Sequence, residues 1–216
     1  MMAIAEANLS RRALSKERRR QQLIDATIKG ISKKGLGSLT LADVANEAGL
    51  SQGIVNLHFN SKDNLLNETL RFLAEDYDAQ FMKTIESSSG NAAETLLALM
   101  EMDLKPAVCD RKKLAVWFAF WGEVKSVPTY QKICAAYNSK YIDIMRELCK
   151  RIVAEGKYSN VDSQTVTDAL SSLTDGLWLS CLINPKSFDR VAALRSVTSY
   201  LRAVFPEHYN HQEESE

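Results

Sequence analysis

The stretch Thr40–Lys62, TLADVANEAGLSQGIVNLHFNSK, decides the fold prediction, because it contains two short capped helices joined by a glycine turn. Thr40 is suited to begin the first helix, since its hydroxyl can accept an amide hydrogen bond of the first turn. Gly49 is suited to end it, because glycine adopts left-handed backbone without steric cost. Ser51 is suited to begin the second helix. The stretch therefore predicts a tight pair of helices.

The spacing within this pair is that of a helix-turn-helix. Ala45 is a small residue where the helices cross, Gly49 allows the tight turn, and Val55 is an apolar residue that fills the angle between them. An ordinary helical hairpin could carry the same three residues, so context matters. Ser61 caps a third helix and Lys62 lies in its first turn, where the helix dipole disfavours a cation. A nearby DNA phosphate would explain that lysine.

The run AGLSQGIVNLHFNSKDNLL resembles the signature AGVSxGxxYxYFxxKxxLL of the TetR family of bacterial repressors. It departs from the family pattern at Asn56 and His58, where tyrosine is common, so base preferences do not transfer. The resemblance implies a homodimer that binds a palindromic double-stranded DNA operator through paired reading helices. Half-sites about one DNA turn apart would place those helices in successive major grooves.

The DNA-contact prediction covers the arm before the first helix and the second helix of the pair. Amide side chains pair bidentately with adenine, which makes Gln52 and Asn56 the candidates for base edges. Hydroxyl and ammonium groups hold phosphates. The predicted DNA-binding residues are Arg18, Arg19, Thr40, Ser51, Gln52, Gly53, Asn56, His58 and Lys62.

Charge is segregated along the chain although the net charge is zero. Residues 1–65 carry ten Lys and Arg against six Asp and Glu, and the rest carries seventeen against twenty-one. Six of the basic residues cluster around the start of the first helix, at Arg11, Arg12, Lys16, Arg18, Arg19 and Arg20. They form either a solvated helix start or an arm that contacts phosphates or the minor groove.

The composition is that of a globular protein. With 216 residues, 45% of them hydrophobic and 25% charged, the chain can bury a core in one small and one larger domain. No run of about 18 apolar residues and no signal peptide is recognisable. Four separated cysteines and three histidines predict reduced thiols, no metal site and no cofactor. We expect a cytoplasmic bacterial protein associated with the nucleoid.

Helical periodicity and Pro or Gly boundaries predict an all-α fold of about nine helices and no strand. The first helix is expected from about Glu17 to Lys34, and the ninth from Ser187 to Val204. The predicted domains are a basic extension at 1–16, a DNA-binding domain at 17–62, a ligand-binding and dimerisation domain at 63–206, and a loose polar tail at 207–216. No catalytic motif such as GxSxG or HExxH occurs, so we expect no enzyme.

The second informative region is aromatic. Trp117, Phe120 and Trp121 lie at helical spacing, so their rings share one helix face. Further along, Asp175 and Trp178 are three residues apart in a largely apolar helix, which places a carboxylate beside an indole. Ring faces plus one negative charge are what a quaternary ammonium ion requires, because it cannot donate ordinary hydrogen bonds.

Two ordinary explanations compete with that hypothesis. The aromatic rings could simply fill a helical core. Asp175 could pair with an Arg or Lys of the same subunit, or accept a hydrogen bond across a dimer seam.

The segments WFAFWGEV and TDGLWLSCL, in this order, resemble the ligand domain of the BetI branch of the TetR family, the choline-responsive repressors of glycine betaine synthesis. That resemblance implies release from the operator by choline or a related cation, with helices 8 and 9 forming the dimer seam. The predicted ligand contacts are Trp117, Phe120, Trp121, Tyr137, Asp175 and Trp178. The alternatives are a TetR-type regulator of efflux or catabolism with another effector, and an all-helical interaction protein without a small ligand.

Overall fold

The computed structural model describes residues 2–210, with side chains placed from residue 14 onward. Within that range the chain forms ten α-helices and no strand, which confirms the predicted all-α fold. The helices are α1 (Met2–Lys34), α2 (Leu41–Ala48), α3 (Gln52–Phe59), α4 (Lys62–Ser87), α5 (Ala92–Leu104), α6 (Arg111–Glu123), α7 (Pro128–Glu155), α8 (Ser163–Ile183), α9 (Arg190–Val204) and α10 (Pro206–Tyr209). None of these described helices is both long and apolar enough to cross a bilayer.

Two helix starts differ from the sequence prediction. Helix α1 begins at Met2 instead of near Glu17, because the segment before the basic cluster is rich in Ala, Glu and Leu, which are strong helix formers. Helix α9 begins at Arg190 instead of Ser187, since the carboxylate of Asp189 accepts a hydrogen bond from the Val191 amide and caps the helix. The side chains of Arg11 and Arg12 lie outside the described residues.

The chain divides into two compact units. The N-terminal unit consists of the chain up to Leu73 together with Ala115–Gln131. Its core is apolar and comes mainly from α1 to α4. The fully buried side chains there include Leu23, Ile24, Leu39, Val55, Leu65 and Leu70. Gly30 allows α1 to pass close to the segment before α2, since a Cβ atom at that position would lie 2.5 Å from Leu39 Cδ1.

The C-terminal unit consists of Ala74–Leu114 and the chain from Lys132 onward. Helices α5, α7, α8 and α9 supply most of its core, which includes Leu96, Leu99, Ile152, Leu170, Leu201 and Phe205. The loop between α5 and α6 is held by polar contacts within the unit. Lys113 Nζ lies 2.7 Å from Asp76 Oδ2, and the Arg190 guanidinium donates to the Cys109 carbonyl at 2.9 Å.

The end of the described chain is ordered, which corrects the expectation of a loose tail from His208. Pro206 begins a short helix, and Tyr209 is 2% exposed with its hydroxyl donating to the Ala93 carbonyl at 2.7 Å. The His208 ring lies 3.0 Å from the Tyr158 hydroxyl. An aromatic residue that can satisfy its hydroxyl inside the unit gains more from burial than from solvation. Residues 211–216 lie outside the described range.

Candidate functional site

Thr40 begins α2 through a complete capping box. Its hydroxyl accepts from the Asp43 amide at 3.1 Å, while the Thr40 amide donates to Asp43 Oδ2 at 3.0 Å. Lys34 Nζ lies 2.5 Å from Asp43 Oδ1 and ties the end of α1 to the start of α2. The Lys34 ammonium, followed by the Thr40 contacts, lowers the pKa of Asp43 to about 2. The first helix of the reading motif therefore begins at a fixed point.

The turn between α2 and α3 has the geometry that the sequence predicts. Gly49 has φ 64° and ψ 31°, the left-handed conformation, and the Leu50 amide donates to the Ala45 carbonyl at 2.9 Å. Val55 is completely buried in the angle between the helices, and Ala45 is 3% exposed where they cross. The two short helices form a helix-turn-helix.

Helix α3 is anchored on one side and bare on the other. Val55 and Phe59 are buried, whereas Gln52, Gly53 and Asn56 are exposed. Leu57 is 72% exposed, which is unusual for a large apolar side chain. A polar face with one apolar side chain suits the major groove, where amides pair with adenine and apolar groups contact the thymine methyl.

Ser51 and Thr40 use their hydroxyls differently. Ser51 has the extended backbone of an N-cap, with φ −79° and ψ 151°, yet makes no side-chain cap hydrogen bond. Its hydroxyl is placed at the N-terminus of α3, where an incoming phosphate would be favoured. The Thr40 hydroxyl also donates to Asp43 Oδ2 at 2.8 Å, so it is engaged inside the protein. Of these two predicted phosphate ligands, Ser51 is the better candidate, because its hydroxyl makes no cap hydrogen bond within the protein.

Basic residues of α1 lie beside the reading helix. A groove of about 390 Å³ is lined by Ser15, Lys16, Arg19, Leu57 and His58. Burial, and then the positive charges of Lys16 and Arg19, lower the pKa of His58. A phosphate bound in this groove would be attracted to Lys16 and Arg19. It would also offset the repulsion between these two cations and a protonated His58.

Two further basic residues have partners inside the N-terminal unit. Lys62 donates from Nζ to the Gly37 carbonyl at 3.3 Å, which uses one of its three donors and leaves its phosphate role a prediction. Arg20 pairs with Glu68 and thereby connects α1 to α4. Arg18 and Arg19 are both exposed, and like Lys16 they remain candidates for the DNA arm.

The predicted aromatic ligand contacts do not belong to a single unit. Trp117, Phe120 and Trp121 belong to the N-terminal unit, whereas Tyr137, Asp175 and Trp178 belong to the C-terminal unit. Phe120 is completely buried and packs edge-on against Tyr130, with 4.8 Å between ring centroids, so this ring fills a core.

The tryptophans of α6 are packed less completely than Phe120. Trp117 and Trp121 are half-buried, and their ring centroids are 6.1 Å apart. Tyr137 is likewise half-buried.

Trp178 lies in an aromatic cluster that the sequence did not predict. Its Nε1 donates to the Asp103 carbonyl at 2.8 Å, which fixes the indole. The ring of Tyr77 meets it edge-on, with centroids 5.9 Å apart and an interplanar angle of 86°. The ring centroid of Tyr141 lies 6.2 Å from that of Tyr77 and 5.2 Å from that of Phe81. We call Tyr77, Phe81, Tyr141 and Trp178 the ring cluster.

The carboxyl group of Asp103 lies against this ring cluster. Asp103 is 1% exposed; its oxygens accept hydrogen bonds from the Tyr77 hydroxyl at 2.8 Å and the Tyr141 hydroxyl at 3.4 Å. Burial raises the pKa of Asp103 to about 7, against the opposing effect of the two hydroxyls, and the negative charge of Asp175 adds to the rise. Burial and the nearby carboxylates also raise the pKa of both phenols well above the ordinary value.

Asp175 is close enough to Asp103 and the two tyrosines to influence their titration. Its side chain is accessible to solvent, while the protein around it removes enough water to raise its pKa to about 6. The described ion pairs include neither Asp103 nor Asp175. Of the residues near this cluster, the sequence pattern predicts Asp175 and Trp178 as ligand contacts and does not predict Tyr77, Asp103 or Tyr141.

A signal for Asp103 was present in the sequence. It is the penultimate residue of the stretch LLALMEMDL, in which a carboxylate follows an apolar helix face much as Asp175 does in α8. No comparable signal marks Tyr77 or Tyr141, which lie in mixed polar segments of α4 and α7.

Two family models match separate parts of this chain. Residues 23–69 match the family described as bacterial regulatory proteins, tetR family, and residues 92–206 match the C-terminal family described as BetI-type transcriptional repressor. The HTH-type transcriptional regulator BetI of Burkholderia thailandensis is 30% identical over 86% of this chain and 93% of its own.

Solved structures share the fold. A transcriptional regulator from Pseudomonas aeruginosa PAO1 is 25% identical, with a TM-score of 0.78 over 90% of this chain and 93% of its own. A transcriptional regulator from Saccharomonospora viridis, solved in complex with choline, is 20% identical, with a TM-score of 0.77 over 86% of this chain and 96% of its own.

Proposed function

This chain belongs to the TetR family of transcriptional regulators, among the BetI-type repressors, and on that premise we propose that a choline-like trimethylammonium ion is its effector. The effector binds in the C-terminal unit against the ring cluster and weakens the hold of the N-terminal unit on a palindromic operator. The genes under control are then those of glycine betaine metabolism. The protein acts in the bacterial cytoplasm, at the nucleoid.

The observation that carries the proposal is the ring cluster with its two carboxyl groups. The Tyr77 ring lies 6.2 Å from the Tyr141 ring and 5.9 Å from the Trp178 ring, measured between centroids, so it has two aromatic neighbours. Asp103 and Asp175 supply negative charge without a basic partner among the described ion pairs. A trimethylammonium group has no hydrogen-bond donor and is held by ring faces and charge, so this arrangement matches its chemistry.

Of the predicted ligand contacts, we retain Trp178 and Asp175 in the site and add Tyr77 and Tyr141. Tyr137 stays a candidate, because a half-buried ring keeps surface for a ligand. Trp117 and Trp121 belong to the N-terminal unit, and we leave them out of the site. Phe120 is better explained as core, since Tyr130 covers its ring.

The DNA part of the proposal rests on the exposed face of α3. Gln52 and Asn56 reach base edges, and Ser51, Lys62, Arg18 and Arg19 hold phosphates. Leu57 joins them as an apolar base contact, because its exposure has no explanation within the N-terminal unit. Thr40 fixes the start of α2 instead of binding DNA directly.

A homodimer presents two such faces to a palindrome. Apolar side chains of α8 and α9 support a dimer seam on these helices, since Leu179, Ile183 and Val191 are 42%, 62% and 65% exposed in the single chain. A cation that binds better to the dimer geometry unsuited to DNA must weaken operator binding by the same factor.

Calorimetric titration tests the effector. Choline is compared with 3,3-dimethylbutan-1-ol, its neutral isostere in which carbon replaces the ammonium nitrogen. We expect saturable binding of choline alone. Binding of the neutral isostere with equal affinity would favour a regulator with an apolar effector, and binding of neither would remove the ring cluster from ligand recognition.

A further inference from the structure

Asp103 is a buried carboxyl group whose role goes beyond packing. We propose that Asp103, and not the accessible Asp175, is the counter-ion of the cationic effector, and that effector binding expels a proton from the Asp103 carboxyl group to solvent. This inference rests on the proposed function, because it requires a cation at the ring cluster.

Among the described residues, Asp103 has no cationic partner that would compensate a negative charge on its carboxyl group. Asp103 is 1% exposed, and the hydrogen bonds described for its carboxyl oxygens come from uncharged hydroxyl groups. The ion pairs of the described residues contain no Lys, Arg or His bound to it. A buried ionised carboxylate without a cation is unfavourable, so a large fraction of empty sites keeps the Asp103 proton near neutral pH.

Titratable groups from the neighbouring helices face Asp103. Tyr77 of α4 and Tyr141 of α7 contribute phenols, and Asp175 of α8 contributes a second carboxyl group. Cys109, just after α5, is a buried thiol whose own titration responds to Asp103. The negative charge of Asp175 favours protonated Asp103, whereas the hydrogen bonds from Tyr77 and Tyr141 favour the ionised form and only partly offset burial. The Arg190 guanidinium of α9 donates to the Cys109 carbonyl, and the described ion pairs do not join it to Asp103.

A permanent cation at the ring cluster would favour the ionised form of Asp103. A trimethylammonium group carries no exchangeable proton, so the whole gain comes from attraction to negative charge and to ring faces. Ionised Asp103 then accepts from both phenols, and their polarised hydroxyls make the rings of Tyr77 and Tyr141 more negative. Proton balance is simple: protonated site plus cation gives ionised site with bound cation plus one proton in solvent.

Asp103 and Asp175 differ in their exposure to solvent. Asp175 is accessible to solvent, so water and salt screen its charge. The Asp103 carboxyl group is enclosed, which lowers the local dielectric response and strengthens its interaction with a nearby cation. The two groups also repel each other when both are ionised, which keeps the proton on the more buried one.

The pH dependence follows from the direction of proton flow. Burial and the neighbouring carboxylate raise the pKa of Asp103 to about 7 in the empty site, and a bound cation lowers it. Choline affinity therefore rises as pH increases from about 6 to 8 and levels off above that range. A site whose counter-ion is already ionised would give a flat profile there.

The experiment is choline calorimetry on the full-length dimer at pH 7 and pH 8, in phosphate and in Tris. These buffers differ widely in ionisation enthalpy, so the difference in heat counts released protons. Wild type is compared with Asp103→Asn, which keeps the shape and can still accept from Tyr77, and with Asp175→Asn at the second carboxyl group of the site. Asp168→Asn is the matched control, because Asp168 is an exposed residue of α8 whose carboxylate accepts from Gln164 at 2.7 Å. Thermal denaturation and operator binding report that each variant is folded.

We expect wild type to release about half a proton per site at pH 7, since a group with a pKa near 7 is about half protonated there. Asp103→Asn should release none and bind choline at least about tenfold more weakly at pH 8, as opposite charges a few ångströms apart in a partly dry site require. Asp175→Asn should still release protons and should lose less affinity than Asp103→Asn, because Asp103 remains to pair with the cation. Asp168→Asn should stay within about threefold of wild type, as expected of a screened surface charge.

Wild-type affinity and proton release in Asp103→Asn would overturn the inference while leaving the proposed effector intact. So would proton release that disappears in Asp175→Asn and persists in Asp103→Asn. Failure of wild type to bind choline at any pH would overturn the inference together with the proposed effector.

Discussion

The reading helix α3 and the ring cluster handle polar groups in opposite ways. The polar side chains of α3 point outward, with Gln52 and Asn56 exposed, and the turn before α3 is closed by backbone hydrogen bonds. At the ring cluster, the Asp103 carboxyl group is enclosed by partners from α4, α7 and α8, none of them a cation. Under the proposed function, DNA adds contacts to an exposed face of α3, whereas the effector brings a positive charge to an enclosed carboxyl group.

The largest effect should come from removing the base-reading amides. Gln52→Ala combined with Asn56→Ala should lower specificity for the operator by roughly 2–6 kcal/mol, because each bidentate pair contributes about 1–3 kcal/mol of discrimination. Fluorescence anisotropy with a duplex selected from random sequences, against a scrambled duplex, measures this loss.

Asn46→Ala, at an exposed asparagine of α2, is the matched control for the double variant. Choline affinity should be unchanged in both proteins, because neither substitution touches the ring cluster. Retained operator specificity in the double variant would remove Gln52 and Asn56 from the reading face.

The reciprocal change affects the ring cluster. Trp178→Phe removes the donor to the Asp103 carbonyl and a strong cation–π surface, and should weaken choline binding by roughly 1–3 kcal/mol. Affinity for the selected operator without choline should stay near that of wild type.

Trp121→Phe provides the comparison within the predicted aromatic set, because Trp121 is half-buried and belongs to the N-terminal unit. Calorimetry should give this variant nearly wild-type affinity for choline. An equal loss in the two variants would place the α6 tryptophans in the ligand site as well.

A smaller effect separates the two hydroxyl residues of the helix-turn-helix. Thr40→Ala should reduce the free energy of unfolding of the N-terminal unit by about 1 kcal/mol, because it breaks a capping box. Ser51→Ala should change stability by only a few tenths of a kcal/mol, since Ser51 makes no cap hydrogen bond. Urea denaturation followed by circular dichroism compares the two variants. Equal destabilisation would mean that the hydroxyls have equivalent structural roles.

The smallest effect concerns Lys62. Lys62→Ala should reduce the slope of log affinity against log salt by about one unit, as expected of one lost phosphate contact. Lys33→Ala is the control, because the Lys33 ammonium is paired with Glu47 at 2.8 Å. A slope in Lys62→Ala that equals the wild-type slope would leave Lys62 with its contact to Gly37 as its only role.

The sequence was sufficient for the helix-turn-helix because everything that defines it is local. Thr40, Gly49 and Val55 act within a few residues of one another, through a cap, a left-handed turn and a buried side chain. The all-α fold was predicted for the same reason, since caps and breakers mark most of the helix ends. The prediction of a start near Glu17 for α1 is wrong, because helix-forming residues before the basic cluster extend the helix to Met2.

The ring cluster could not be assembled from the sequence, because its contacts join distant positions. Asp103 meets Tyr77 across 26 residues, Tyr141 across 38 and Trp178 across 75. Helical spacing identified Asp175 with Trp178, and it also grouped Trp117 with Phe120 and Trp121. Spacing shows which side chains share a helix face, but the packing of that face against other helices decides which rings meet a carboxylate.

The most direct test of the central claim is operator release. Wild-type protein bound to a fluorescein-labelled selected operator is titrated with choline and, in parallel, with 3,3-dimethylbutan-1-ol. The account predicts that saturating choline lowers operator affinity by at least about fivefold, the lower end of typical allosteric coupling, and that the neutral isostere has no effect. Operator affinity that stays constant at a choline concentration shown by calorimetry to fill the site would contradict it.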